Sequence, residues 1–207
     1  SVQNPSDAEL AQFKSAIVNG INAIELAIAR DNSDPENHAV RGRIYSMLVE
    51  TAQVEGSYER ARESLDRASA LDPLSPLRRL ELAQLETRAK NFGEARRFVN
   101  EAIQLKSNYS DAFFFLTQLD IAEGNVEGAV NSTRTMISLE PTNPSRYYQL
   151  GVLEASRKNY TQASVAFEEA VRLNPEYSNA RYFLAIAYSQ IGKKDEARAE
   201  LTKVLEL

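Results

Sequence analysis

The chain has no cysteine, a single histidine and no long apolar run, and each of these absences excludes a class of function. Without cysteine there is no disulfide, no thiolate metal site and no cysteine nucleophile, although the compartment is not determined. A bilayer-spanning helix needs roughly 18 consecutive apolar residues, which no stretch approaches. No signal-peptide pattern opens the chain. We therefore expect no membrane insertion by this segment.

Basic surface and catalytic residue patterns are also missing. A net charge of −5 disfavours a nucleic-acid partner, which would require a basic stripe. His38 has no second imidazole or thiol with which to bind a metal, and acidic pairs such as Glu168-Glu169 lie beside basic residues, as on an ordinary solvated helix face. No Gly-rich phosphate loop, nucleophile elbow or EF-hand pattern occurs. The sequence predicts no catalytic, cofactor-binding or metal site, and hence no enzyme.

What the chain does contain is a period of 34 residues. Three columns keep this step: Ala61, Ala95, Ala129, Ala163 and Ala197; Leu48, Leu82, Leu116, Leu150 and Leu184; and Leu71, Leu105, Leu139, Leu173 and Leu207. A period of this length is typical of a stacked repeat array. Such arrays usually present binding surfaces and seldom carry reaction centres.

One repeat unit, residues 144–177, shows the local structure. Its first half has Tyr147, Leu150, Gly151 and Glu154 on one helical face, and its second half has Ala163, Phe167, Ala170 and Val171 on another. Pro175 ends the second helix, because proline cannot continue it. Glycine or lysine stands in the turn, at Gly56, Lys90, Gly124, Lys158 and Gly192, where glycine can supply a left-handed cap. The pattern predicts an antiparallel helical hairpin.

This unit resembles the tetratricopeptide repeat (TPR) family. The matching residues are Leu150-Gly151, Ala163, Phe167, Ala170 and Pro175, and in the next unit Leu184-Ala185, Tyr188, Gly192, Ala197 and Leu201. Tyr147, Thr133 and Glu154 depart from the family pattern. The resemblance covers about residues 37 to 207 and implies an all-α fold, a right-handed α-solenoid of antiparallel helix pairs.

The period divides the chain into six segments: an N-terminal helical segment (1–36), TPR 1 (37–75, extended), TPR 2 (76–109), TPR 3 (110–143), TPR 4 (144–177) and TPR 5 (178–207). The first segment, a degenerate repeat or capping helix, opens with a capping-box pattern from Ser6 to Glu9 and forms one helix or two broken near Asn19-Gly20. TPR 1 carries four extra residues. Its Gly42 reads like the family glycine, whereas Leu48 keeps the strict register.

The resemblance implies that the first helices line a concave groove for a protein or peptide partner. With the alanine column as position 20, the predicted groove residues are Phe114, Phe115, Gln118, Tyr148, Val152, Tyr182, Phe183 and Ile186. The alternative is that some of these aromatics only pack between repeats. The same count places Ser46, Met47 and Glu50 in the groove of TPR 1. Glu50 and Glu81 have the wrong charge for the family members that bind chaperone tails.

The predicted function is a protein-interaction scaffold that presents an apolar, aromatic groove. Leu201, Val204 and Leu205 lack a covering helix, which predicts further chain in the parent protein or self-association. The start at Ser1, without methionine, also suggests an excised piece. More loosely, the segment is similar to the C-terminal TPR region of bacterial O-antigen-ligase-like membrane proteins. The alternative function is therefore an accessory domain in envelope glycan assembly, cytoplasmic or extracytoplasmic on a membrane-anchored parent.

Overall fold

The computed structural model describes residues 6–49 and 55–207, and this part of the chain contains eleven α-helices and no strand. It divides into two compact units, Ser1–Tyr109 and Ser110–Leu207. The helices of unit 1 are α1 (Asp7–Arg30), α2 (Pro35–Leu48), α3 (Ser57–Leu71), α4 (Pro76–Arg88) and α5 (Phe92–Leu105). Those of unit 2 are α6 (Ser110–Ala122), α7 (Val126–Leu139), α8 (Pro144–Ser156), α9 (Tyr160–Leu173), α10 (Ser178–Gln190) and α11 (Lys194–Glu206). Consecutive helices pack as pairs, and the predicted fold class is confirmed.

Helix α1 is a single helix that runs without a break through Asn19-Gly20. The capping box forms as the sequence indicates: the Glu9 amide donates to the Ser6 hydroxyl at 3.3 Å, and the Ser6 amide donates to the Glu9 carboxylate at 2.7 Å. In the second half of the helix Ile24 is buried, and α1 packs on α2. In its first half Phe13 is 56% exposed. The apolar stripe of α1 is therefore covered only in part.

In the pairs α2–α3 and α8–α9 a glycine on the first helix allows the second helix to approach closely. A Cβ added to Gly151 would lie 2.5 Å from the Phe167 ring, and one added to Gly42 would lie 2.6 Å from the Leu65 side chain. Such distances are far below van der Waals contact, so a larger residue would push the helices apart. Gly42 thus takes the place of Gly151, seven residues after the first proline of its helix.

This equivalence corrects the register predicted for TPR 1. Helix α2 begins at Pro35, two residues before the predicted repeat, and Arg43 rather than Glu50 corresponds to Val152. The strict register through Leu48 is therefore wrong for this helix, and Ser46 and Met47 do not correspond to Tyr148 and Gln149. They nevertheless line an open cavity with Glu81 and Gln84 of α4.

The insertion falls between Leu48 and Ser57 and comprises seven residues rather than four, because Gly42 stands 19 residues before Ala61 whereas Gly151 stands 12 before Ala163. Glu50 lies outside the described residues. An insertion there restores the period in α3 and leaves α2 out of step with it.

The turns inside the pairs share one backbone conformation. Gly56, Gly124 and Gly192 have φ of 75°, 74° and 82°, and Lys90 and Lys158 reach 62° in the same place. All five residues therefore adopt the left-handed conformation that glycine favours.

Behind three of these turns lies a buried carboxylate. Glu86, Asp120 and Glu154 are at most 2% exposed. Each accepts a hydrogen bond from the side-chain amide of an asparagine five residues later, Asn91 at 2.9 Å, Asn125 at 2.8 Å and Asn159 at 2.9 Å. Because a buried carboxylate is costly unless it is hydrogen-bonded, these contacts hold the turn to the first helix.

Two of these carboxylates also bind an arginine of the preceding pair. Arg62 of α3 donates to Glu86 at 2.6 Å, and Arg134 of α7 donates to Glu154 at 2.9 Å. One repeat later the donor and the acceptor exchange places: Tyr188 stands where Glu154 does, Glu168 stands where Arg134 does, and the tyrosine hydroxyl donates to the carboxylate at 2.9 Å. Burial, together with the Glu168 carboxylate, raises the pKa of Tyr188 to about 12. The helix pairs are thus joined by a repeated polar contact as well as by apolar packing.

Candidate partner-binding surface

Helix α8 carries Tyr148 and Val152, two of the predicted groove residues, and both are half-buried against α10. The Tyr148 ring lies 5.1 Å from that of Tyr177, 5.8 Å from that of Phe183 and 5.9 Å from that of Phe167, measured between centroids. Burial raises the pKa of Tyr148. Val152 packs on the same cluster. Tyr148, Val152 and Phe183 therefore pack between neighbouring helix pairs, which is the arrangement that the alternative interpretation expects of some of the aromatics.

Helix α10 presents Tyr182 and Ile186 differently, because no helix of unit 2 covers them among the described residues. They are 48% and 37% exposed, and the Tyr182 ring meets that of Phe183 edge-on at 5.6 Å. Between α10 and α11 lies an open cavity of about 420 Å³. It is lined by Tyr182, Ala185, Ile186, Ser189, Lys194, Ala197, Arg198 and Leu201. Two of the predicted groove residues of α10, Tyr182 and Ile186, thus share one cavity with Leu201, which the sequence marks as lacking a covering helix.

Helix α6 carries the remaining predicted groove residues. Phe114 is 42% exposed, and the guanidinium carbon of Arg146 lies 5.3 Å from the centre of its ring. Phe115 is half-buried and Gln118 is exposed. A guanidinium over an aromatic face is attracted by the ring's electrons, so one face of Phe114 is occupied and the rest is open.

Unit 1 has charged side chains at the corresponding places of its first helices. Arg43 and Arg78 each form salt bridges with both Glu36 and Glu81, with Arg78 Nη2 to Glu36 at 2.7 Å and Arg78 Nη1 to Glu81 at 2.9 Å. Arg78 and Glu81 are only 6% and 5% exposed. The arginines hold the pKa of Glu36 below its usual value, chiefly through the Arg43 hydrogen bond. Arg43 occupies a position that corresponds to the groove residue Val152, but its charge is neutralised by Glu36 and Glu81. It therefore has no free charge for the carboxylate of a chaperone tail.

Two further features of the described residues bear on chemistry. His38 is buried at 3% exposure, and its Nε2 lies 3.0 Å from the Asn32 carbonyl oxygen. No cluster of three or more histidines, cysteines or carboxylates suited to a metal ion is present in the part of the chain that the structure describes.

None of the described helices is both long enough and apolar enough to cross a membrane.

A second open cavity, of about 400 Å³, lies on α7, α8 and α9. Its lining includes Tyr147, Leu150 and Val165, the last 56% exposed, together with the Arg134–Glu154 ion pair. Sequence reasoning missed this cavity and the Lys194 and Arg198 rim of the first one. It also missed the burial of Glu154, although the column Glu86, Asp120, Glu154 with asparagine five residues later is visible in the 34-residue period.

Curated relatives match the chain over small parts of their own length. It is 24% identical over 168 residues to the human protein O-mannosyl-transferase TMTC3, a match that covers 80% of this chain and 18% of that protein. It is 25% identical over 213 residues to tetratricopeptide repeat protein 37 of Xenopus laevis, covering 96% of this chain and 13% of that protein. The chain therefore spans less than a fifth of either relative.

Solved structures share the fold at low sequence identity. The C-terminal part of a TPR repeat-containing protein from Cytophaga hutchinsonii superposes with a TM-score of 0.77 at 16% identity, covering 93% of this chain and 74% of that one. YrrB, a TPR protein with an unusual peptide-binding site, gives 0.64 at 17% identity, covering 90% and 92%. MamA gives 0.62 at 20% identity, covering 80% and 91%. These similarities establish the fold alone.

Two sequence models of the tetratricopeptide repeat match residues 47–110 and 154–207, together more than half of the chain. The matched stretches contain Ala61, Ala95, Ala163 and Ala197 of the alanine column and the complete helix pairs α4–α5 and α10–α11. By sequence and by fold, this chain belongs to the tetratricopeptide repeat family.

Proposed function

We propose that this protein-interaction scaffold binds a peptide or helix of a partner protein on the apolar, aromatic surface of unit 2. The exposed binding residues are Tyr182 and Ile186 on α10 and Phe114 and Gln118 on α6. The half-buried residues of the same surface are Phe115, Tyr148, Val152 and Phe183.

The observation that carries this proposal is the exposure of Tyr182 and Ile186 beside a cavity lined with further apolar side chains. A tyrosine offers a large apolar area with few rotatable bonds, so binding a partner costs it little entropy. Its ring is also held in place by Phe183. Rigid aromatics at the edge of a pocket dominate the energy of many protein interfaces.

A peptide or helix fits this surface better than a charged ligand. Of the side chains that line the α10–α11 cavity, only Lys194 and Arg198 are charged. Apolar anchors at helical spacing are the usual way in which a helix occupies such a groove. The peptide-binding site of YrrB, which shares the fold, supports the same class of partner.

Selection of binders from a random peptide library, followed by calorimetric titration, tests the proposal. Tyr182→Ala and Phe114→Ala, made singly, are expected to weaken the selected peptides by roughly tenfold or more, as truncation of an interface anchor does. Tyr148 is left intact, because its substitution would disturb packing. The control is Val165→Ala, an exposed apolar residue at the other cavity of unit 2. Undiminished affinity in both test variants would contradict the proposal.

The scaffold role includes no chemistry, because TPR arrays generally hold partners and do not transform them. We therefore infer that these residues do not form an enzyme. Any catalysis would belong to other parts of the parent protein.

A second candidate function is an accessory domain of a larger bacterial membrane protein of envelope glycan assembly. The supporting observation is the match to a protein O-mannosyl-transferase, of which the aligned region forms 18%. Sequencing the complete reading frame tests this candidate. A glycosyltransferase or polymer-ligase domain with membrane spans on the same chain is expected, and a parent without one excludes it.

A further inference from the structure

The cavity on α7, α8 and α9 is open at a place that two other repeats of this chain fill with an arginine. Its volume is about 400 Å³, and its apolar lining consists of Tyr147, Leu150, Val165 and Ala166. It shares no lining residue with the α10–α11 cavity, and the complete pair α10–α11 follows it in the chain. The cavity therefore lies inside the repeat array.

Unit 1 has an arginine at the equivalent place. Arg79 and Glu101 stand two repeats of 34 residues before Tyr147 and Glu169. The Nε atom of Arg79 lies 3.1 Å from the Glu101 carboxylate. In the cavity the carboxylate is kept, as Glu169, whereas the arginine is replaced by Tyr147. The cavity thus retains one half of an ion pair that unit 1 has complete.

The pair α10–α11 also has an arginine there, since Arg181 stands one repeat after Tyr147. Arg181 Nε donates to the Pro175 carbonyl oxygen at 2.8 Å, and its Nη1 donates to the Glu200 carboxylate at 2.5 Å. The Tyr147 hydroxyl makes the bond that corresponds to the first of these, to the Pro141 carbonyl oxygen at 3.1 Å. An arginine and a tyrosine therefore share this position and its backbone partner, and only the arginine binds a carboxylate.

Small side chains account for the open space. Val165 and Ala166 stand two repeats after Arg97 and Phe98 of unit 1. Phe98 is 4% exposed, and the guanidinium carbon of Arg97 lies 4.0 Å from the centre of its ring. Val165, by contrast, is 56% exposed. The cavity lacks both the arginine and the bulk that are present at its equivalent in unit 1.

Glu169 has room for a second arginine. It binds Arg172 of its own helix at 2.8 Å, and because both side chains are exposed this ion pair contributes little. Glu101, in the same place, binds Arg79 and Arg97 together. A carboxylate accepts about four hydrogen bonds, so Glu169 can keep Arg172 and accept another guanidinium.

The other charges of the lining neutralise each other. Arg134 and Glu154 form an ion pair at 2.9 Å, and Glu154 is buried. Glu169 is therefore the charged group of the lining that is open to a partner, and it favours a cation. The Tyr147 ring belongs to the same lining, and aromatic rings attract a guanidinium.

We propose that this cavity binds an arginine side chain supplied by a partner protein. The alkyl stem packs on Leu150, Val165 and Ala166, as arginine stems do on apolar surface. The guanidinium pairs with Glu169 and stacks on the Tyr147 ring. The partner thus supplies the side chain that the protein itself supplies in two other repeats. This site goes beyond the proposed function, because it shares no residue with the surface proposed there.

An NMR titration with short peptides tests the site. The probe is the tripeptide acetyl-Leu-Arg-Leu-amide, whose leucines supply apolar area beside the arginine. Its control carries citrulline, a neutral side chain of nearly the same shape, in place of the arginine. The arginine peptide is expected to bind roughly fivefold more tightly than the citrulline peptide, which is the gain that an exposed ion pair allows. The chemical shift changes are expected on α8 and α9 around Val165.

Two variants of the protein identify the groups responsible. Glu169→Gln is expected to abolish the preference for arginine over citrulline, whereas Glu101→Gln should keep it, because the Glu101 carboxylate is already bound by Arg79. Tyr147→Arg is expected to fill the cavity with an internal arginine, as Arg181 does one repeat later, and to abolish binding of the arginine peptide. Circular dichroism checks that this variant keeps its helices.

Three results would overturn the inference: no binding at millimolar peptide, equal binding of the arginine and citrulline peptides, or undiminished binding by folded Tyr147→Arg. The proposed function is tested separately, at other residues. Val165→Ala, the control for the α10–α11 surface, is expected to weaken the arginine peptide about twofold, because it removes apolar contact area. Tyr182→Ala is expected to leave that peptide unaffected. Failure at this cavity therefore leaves the result for Tyr182 and Phe114 unchanged.

Discussion

Units 1 and 2 are built from the same helix pair but place opposite chemistry on their first helices. Where unit 2 has Val152 and Phe183, unit 1 has Arg43 and Glu81 at the same places along the helix. In unit 1 these charges form a closed set of salt bridges with Glu36 and Arg78. In unit 2 the corresponding side chains join an aromatic cluster.

The difference shows how one scaffold separates stability from binding. The charges of unit 1 satisfy one another, so the positions that could contact a partner are used within the unit. In unit 2 the following helix partly covers Tyr148 and Val152, whereas Tyr182 and Ile186 on α10 remain exposed. Three sets of substitutions test this contrast.

The largest effect is expected for Glu81→Ala. Removing this carboxylate leaves the buried Arg78 with one partner fewer, and losing one partner of a buried ion pair costs about 3–5 kcal/mol. Hydrogen exchange of the α2 and α4 amides is expected to speed up accordingly, while the α8 and α10 amides keep their protection.

The double variant Arg78→Met/Glu81→Leu sharpens this result. It removes both members of the buried pair and leaves Arg43 paired with Glu36. Replacing both partners by apolar residues is often nearly neutral, so the double variant should be more stable than Glu81→Ala. Equal destabilisation by the two would mean that packing, and not charge, holds unit 1 together.

A smaller effect is expected for Gly151→Ala and Gly42→Ala. The added methyl group meets the Phe167 ring in one case and the Leu65 side chain in the other, and overpacking of this kind costs about 1–3 kcal/mol. Gly151→Ala should cost more, because the Phe167 ring is held between Tyr148 and Phe183. Urea unfolding followed by circular dichroism measures both.

Gly93→Ala is the matched control, since nothing lies within 4 Å of its added Cβ. In a helix it should stabilise the protein by about 0.4–1 kcal/mol. If Gly151→Ala behaved in the same way, the glycine would not be setting the approach of α8 and α9.

The smallest effect is expected for Tyr188→Phe, which removes the hydrogen bond to Glu168 and costs about 1 kcal/mol. The pKa of Tyr188 is raised from 10 to about 12 in the folded protein, so its contribution is complete below pH 10. The contribution is lost as the pH rises through about 12. The melting temperature of the variant should therefore fall less than that of the wild type above pH 10.

Tyr58→Phe in unit 1 is the counterpart of this variant. Tyr58 donates to Glu86 at 3.1 Å, but Arg62 and Asn91 bind the same carboxylate. Tyr58→Phe should therefore lower the free energy of unfolding by less than Tyr188→Phe does. A larger effect for Tyr58→Phe would show that the two contacts between repeats are not equivalent.

The period predicted the helix pairs but not the register of the first one. Leu48 falls in a 34-residue column by coincidence, because the inserted residues lie after α2 and not before it. The close approach of Gly42 to Leu65 shows that the register of α2 is set by its own Pro35 and not by the column of Leu48. A column of one residue type carries too little information to locate an insertion.

The predicted groove was likewise only partly readable from the sequence. Counting from the alanines identifies Phe114, Tyr148 and Tyr182 as equivalent, yet they differ in exposure. Tyr148 is half-buried by Tyr177 and Phe183, Phe114 is flanked by Arg146, and Tyr182 is open. Their binding role stays a prediction.

By itself the sequence determined the repeat, the helix pairs and the family, because these depend on the spacing of small, apolar and helix-ending residues along the chain. Only the tertiary structure decided which equivalent side chains are covered and which charges neutralise one another. Burial and ion pairing depend on side chains from neighbouring pairs, and no spacing along one helix records what the next helix contributes.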